Sequence, residues 1–395
     1  MNQSESKSDT ILKNKINFDL FGIVRIRLEN PTEDDIKSVK KQIGFEPSKF
    51  EDEPDIIIRF TSDLVTKDFT FLDINSAGFT QDDFYLISGE KPYKKIKIPF
   101  EKIGSKIEIV CEHGVKSIPL LNHLINFTFL GKNYLPLHSS GLSVNDKGVL
   151  IMGWAHGGKT SALMSFAMHG AYYVGDDWVI LNPKEKLMYG LPLPVSIKEW
   201  QFSQIQKLLP KKTTKQKMIF GIIHSIDFVY RNASRIGMKK IALINLLGDV
   251  LPTLKKQLKV QIPPGKIFGD RIQKNGTPLN FVLLTLSHGS DEIHIEECNW
   301  EEVADRMINS NKFEQMSMFK FYEVFKFAFP NRKNEFLENS IRLQHQLLSE
   351  ALMDKKSYKV THPYPVEFEK LYNRLNEAIF ESNGYKKEKS ISIKN

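Results

Sequence analysis

Gly153-Trp154-Ala155-His156-Gly157-Gly158-Lys159-Thr160, of the form G-x-x-x-x-G-K-[ST] and followed by Ser161, is the stretch whose residue types and spacing most plainly suit chemistry. Glycines at its ends let the backbone close around an anion, and successive N–H groups then point inward as a nest. A lysine at that spacing reaches the β- and γ-phosphates of a nucleotide, and the hydroxyl after it ligates Mg²⁺. The expected chemistry is phosphate binding by residues 153–161, with Lys159 neutralising charge and Thr160 on the metal. A second group follows at Gly175-Asp176-Asp177. Two adjacent carboxylates near a triphosphate bind Mg²⁺ and leave one free to act as a base, so Asp176 and Asp177 join Thr160 as expected metal ligands.

These side chains matter only if the chain delivers them to one place. Gly148-Val149-Leu150-Ile151-Met152 reads as a buried strand, and Ser161 to Met168 as a helix with apolar residues at helical spacing. A strand, a glycine-rich turn and a helix start put the positive helix end at the phosphates. After a helix end at His169-Gly170, Tyr172-Tyr173-Val174 reads as the next parallel strand. It would carry both aspartates to the carboxyl edge, where open α/β sheets bind ligands. The apolar run Asn280 to Leu286 suits a central strand.

In this order the residues resemble the HPr kinase/phosphorylase-like family, whose nucleotide fold is shared with phosphoenolpyruvate carboxykinase. The matching pieces are Leu137-His138-Ser139-Ser140-Gly141, Gly153 to Thr160, and Gly175-Asp176-Asp177. The resemblance covers roughly residues 134–182. It implies an α/β fold with a P-loop nucleotide-binding core of that type. It also implies a kinase that moves a phosphoryl group from ATP, with Mg²⁺, to a hydroxyl of a protein, peptide or small molecule. Asp176 takes the role of base and His138 lies near the reacting phosphate, with Lys159 completing the catalytic set. His156 stands where the family's loop carries a glycine. The family's later Gly- and Arg-rich signature for HPr is replaced by the Pro-rich Tyr189 to Glu199, so an acceptor other than HPr is expected. The alternatives are an ATPase switch and a non-catalytic nucleotide-binding regulator; no N-K-x-D motif favours a GTPase.

Around the core the chain divides into a polar leader (1–16), an α+β N-terminal domain (17–129), the nucleotide domain (130–299), a helical C-terminal region (300–384) and a lysine-rich tail (385–395). Strands are expected at Asp55 to Phe60, Lys95 to Phe100 and Lys106 to Cys111. Helices are expected from Pro31, over Pro119 to Phe129, from Asn299, and over Glu335 to Leu352 and Glu367 to Phe380.

With 395 residues, 41% hydrophobic and 26% charged, the composition is that of a globular protein of two or three domains. The net charge of +8 is scattered, apart from clusters such as Lys211-Lys212 and Lys255-Lys256, which argues against nucleic acid. Two distant cysteines, Cys111 and Cys298, argue against a disulfide framework. With no signal-like start and no long apolar run, a cytoplasmic protein off the membrane is expected; homo-oligomerisation stays open. Among the remaining candidates, Arg271 is read as a loop arginine with a phosphate clamp as the alternative. His156 is read as facing solvent, His288 as a turn residue and Trp154 as packing beside the loop.

Overall fold

The computed structural model describes residues 15–73, 76–88, 93–209, 214–235, 250–251 and 258–382. Two sheets carry the architecture, and both mix parallel and antiparallel strands. The first has eight strands between Lys15 and Glu112. Its middle strands Val24–Glu29, Ile56–Thr61 and Ile107–Glu112 run parallel. Ile56–Thr61 alternates buried and less buried residues, as a strand covered on one face does.

The helix Glu33–Ile43 closes this layer. Thr32 caps it by accepting from the Asp35 N–H, Asp35 answers in a capping box, and Gly44 ends it at φ 78°. The apolar helix Leu121–Gly131 then leads into the second sheet. Lys15 and Ile16, assigned to the leader by the sequence reading, instead lie in the first strand and pair with Glu29 and Leu28. Residues 1–14, the tail 385–395 and the clusters at Lys211-Lys212 and Lys255-Lys256 lie outside the described residues.

The second sheet has nine strands, centred on Thr277–His288. Lys147–Met152 runs parallel beside its first half and Lys356–Pro363 parallel along its length. Their apolar runs fit strands covered on both faces. Two predictions need correction here. Tyr172–Gly175 does point the same way as Lys147–Met152, but it is not its neighbour: Ser140–Val144 lies between them, antiparallel to both. The C-terminal region is not wholly helical either, because Lys356–Pro363 is a strand of this central sheet. Strand formation depends on the surface a segment packs against, which a mixed run such as KSYKVTHP does not reveal locally.

The boundaries drawn at 129 and 299 do not interrupt the packing. The helices Trp300–Glu314, Met316–Ala328 and Glu335–Leu352 share one continuous core with the first sheet and one face of the second. Phe325 stacks on Phe100 at 5.4 Å and meets Phe84 edge-on at 5.7 Å. Asn334 anchors the turn before the last of these helices by donating to the Phe100 and Ile103 carbonyls. A second core covers the other face, where Lys159–Ala167 packs against Phe368–Asn376. Among the described residues, no helix is long and apolar enough to cross a membrane.

Candidate active site

The chain from Gly153 to Gly158 leaves the strand Lys147–Met152 and enters the helix Lys159–Ala167, as the motif predicts. The loop is supported from below by the two parallel neighbours. The Thr285 hydroxyl donates to the Met152 carbonyl at 3.0 Å, and the Ser287 hydroxyl to the His156 carbonyl at 3.2 Å. From the missed strand, buried His362 brings Nε2 to 3.2 Å from the Gly157 carbonyl.

Gly158 has φ 104°, and a Cβ there would lie 1.9 Å from that ring nitrogen. Both its conformation and its neighbour therefore require glycine. His156 has φ 66°, a left-handed conformation that favours glycine. It is exposed as predicted but turned over the cleft, with Nδ1 3.2 Å from Lys198 Nζ.

Lys159 is buried, and its Nζ donates to the Gly153 and Trp154 carbonyls at 2.9 and 3.1 Å. Burial draws its ammonium below the ordinary lysine range, opposed chiefly by Asp176. At the end of Tyr172–Gly175 the chain turns so that Asp176 faces inward, while Asp177 at φ 67° faces out. Thr160 Oγ1 lies 3.3 and 3.2 Å from the two Asp176 oxygens, and the Ser140 hydroxyl donates to the same carboxylate. Burial first, and the charge of Asp177 second, push the Asp176 carboxyl up to about 7, against the bond from Ser140 and the charge of Lys159.

His138 lies between the strands Leu135–Leu137 and Ser140–Val144. Its N–H donates to Asn311 Oδ1 at 3.2 Å, and its Nε2 is 3.9 Å from Asp177. On the other side of the ring, Nδ1 is 2.8 Å from a Glu314 carboxylate oxygen, though aligned too poorly for a full hydrogen bond. That contact holds Glu314 below the usual carboxylate range. Asn311 and Glu314 sit one turn apart on one helix, a spacing that puts both on the face meeting His138.

Sequence reasoning missed Glu314, and nothing local marks it. It is one acid at the end of an amphipathic helix, and its partner is remote in the chain. The predicted residues are thus brought together: His138, Ala155, His156, Gly158, Lys159, Thr160, Ser161 and Asp177 all line one cleft of about 780 Å³. Asp176 lies just beneath its surface, in contact with Thr160. Trp154 packs against Phe313, with ring centroids 4.9 Å apart.

Two other candidates lie elsewhere. Arg271 is a loop arginine, as read, but only partly exposed, and it donates to the Ala167 and Ala171 carbonyls at the far end of the loop helix. His288 accepts from the Ser290 N–H at 2.8 Å in a strand-end turn, as predicted.

The donor set fits a divalent cation held jointly with phosphates. A buried carboxylate with raised proton affinity calls for a positive partner, and the Thr160 hydroxyl beside it is a second hard oxygen. No cluster of three or more His, Cys, Asp or Glu with metal-binding geometry occurs among the described residues. Mg²⁺ is commonly bound by one or two carboxylates plus substrate phosphates. No protein-family model matches the chain, and a search of curated proteins found no match.

Proposed function

We propose that the protein is an ATP- and Mg²⁺-dependent kinase of the HPr-kinase-like type, acting on a hydroxyl acceptor. The observation that carries this reading is the contact between Thr160 and buried Asp176 beside the glycine loop, with Lys159 above it and His138 and Asp177 at the cleft wall. The loop N–H groups and Lys159 would hold the phosphates. Thr160 with Asp176 and Asp177 would hold Mg²⁺, which when bound neutralises charge on the triphosphate.

Asp176 would accept the acceptor's hydroxyl proton, the role that the resemblance gives to the first aspartate of the pair. As that proton leaves, the acceptor oxygen bonds to the terminal phosphorus and the bridging P–O bond breaks, releasing the nucleoside diphosphate. His138, held by Asn311 and Glu314, would meet the negative charge on the transferred group.

The test is transfer of labelled phosphate from ATP to candidate hydroxyl acceptors, HPr included. Lys159→Ala should lose nucleotide binding. Asp176→Asn should keep it and lower transfer by roughly 10²–10⁴. Asp177→Asn should instead raise the Mg²⁺ concentration needed for activity, and the opposite pattern would exchange the two roles. Unchanged ATP affinity in Lys159→Ala would overturn the reading. Stoichiometric labelling of HPr would overturn the expectation of a different acceptor.

A further inference from the structure

The cleft has a second wall that the phosphate chemistry does not use. It includes Lys198, Glu199, Trp200, Lys259, Gln261 and Tyr364. Lys198 and Trp200 leave the small two-stranded sheet of Val195–Lys198 and Lys259–Ile262, and Tyr364 follows the strand Lys356–Pro363. The Trp200 and Tyr364 rings stand edge to face with centroids 5.5 Å apart. The Tyr364 hydroxyl gathers the corner: Trp200 Nε1 donates to it at 3.3 Å and Lys198 Nζ at 3.0 Å.

The corner is tied to one side of the loop helix. Gln201 Nε2 donates to the Ser161 hydroxyl at 3.2 Å, and the Lys198 N–H donates to Gln201 Oε1 at 2.8 Å. The preceding residue, Thr160, instead faces Asp176. Successive helical residues point about 100° apart, so the aspartates and the aromatic corner flank the phosphate cradle on different sides.

A nucleotide is a polyphosphate chain with the reacting phosphorus at one end and a flat aromatic base at the other. If the reacting end lies by Asp176, His138 and Asp177, the base must leave the cradle on another side. The Trp200–Tyr364 corner lies there: both rings line the cleft, Tyr364 is 49% exposed, Lys198 Nζ sits 4.9 Å from the centre of the Tyr364 ring, and Lys259 is beside them for the sugar–phosphate junction. We propose that this corner is the nucleoside subsite. The acceptor hydroxyl then enters from the His138–Asp177 side. This inference rests on the phosphate-loop reading above.

Titration calorimetry with Mg·ATP and with inorganic Mg·tripolyphosphate separates the two ideas. The wild type should bind both, with ATP the tighter. Trp200→Ala and Tyr364→Ala should each weaken ATP binding by roughly tenfold, the worth of a base–aromatic stack, and leave tripolyphosphate within about twofold. The retained tripolyphosphate site also reports that each variant is folded.

Unchanged ATP affinity in both variants would overturn the subsite and leave the phosphate loop standing. Equal loss of both ligands would show a corner that only props the loop, and would also overturn it. Wild-type protein that binds neither ligand would remove the phosphate reading, and the subsite with it.

Discussion

Asp176 and Glu314 show how one carboxylate can be made costly and another useful. Asp176 is buried, and its proton affinity rises to about 7. The folded protein therefore keeps a proton that the unfolded chain loses between about pH 4 and 7, and folding stability falls as pH rises through that window. Without Mg²⁺, Asp176→Asn should gain stability relative to the wild type at pH 8. The advantage should vanish near pH 4. Thermal unfolding at the two pH values measures it, and an equal difference at both would contradict it. Glu314 acts through His138, whose ring it approaches at 2.8 Å. In a double-mutant cycle on phosphoryl transfer, Glu314→Gln and His138→Ala should be coupled by about 0.5–3 kcal/mol, and Glu314→Asp should recover part of the loss. Strictly additive losses would separate the two residues.

The loop and its supporting strands act as one element. Gly158 is held at φ 104° against His362, so the loop's path depends on a strand reached only near the end of the chain. Gly158→Ala imposes both a strained backbone, on the order of 1–3 kcal/mol, and a clash with the buried ring. It should abolish tripolyphosphate binding and lower the unfolding midpoint. His362→Gly in the same background should recover part of the stability by removing the ring. A Gly158→Ala variant that binds tripolyphosphate normally would show that the loop tolerates a different path.

Across the whole molecule the first sheet, the helices between Trp300 and Leu352 and one face of the second sheet share a single core. Phe325 is buried among Phe84, Phe100, Tyr322 and Phe329. Phe325→Ala should cost about 3–5 kcal/mol, the range for truncating a buried aromatic. Because the layers are not separately cored, fluorescence and circular dichroism should still trace one shared transition in denaturant. Two resolved transitions would mean that the N-terminal layer folds independently.

The parts that could be read in advance are those whose cause lies within a few residues. The turn from Gly153 to Thr160, the helix start after Pro31, and the apolar run at Asn280 to Leu286 each carry their conformation in contiguous side chains. So does the delivery of Asp176 and Asp177 at a strand end, although Ser140–Val144 intervenes in the sheet. Folding alone set the partners that arrive from elsewhere: Glu314 against His138, His362 beneath the loop, and Trp200 against Tyr364. The strand Lys356–Pro363 belongs with them, since its place depends on pairing with Thr277–His288 rather than on its own residues. The physical reason is common to all four. Local geometry follows from short-range sterics and hydrogen bonding, whereas burial, strand pairing and charge partners depend on contacts between segments far apart in the chain.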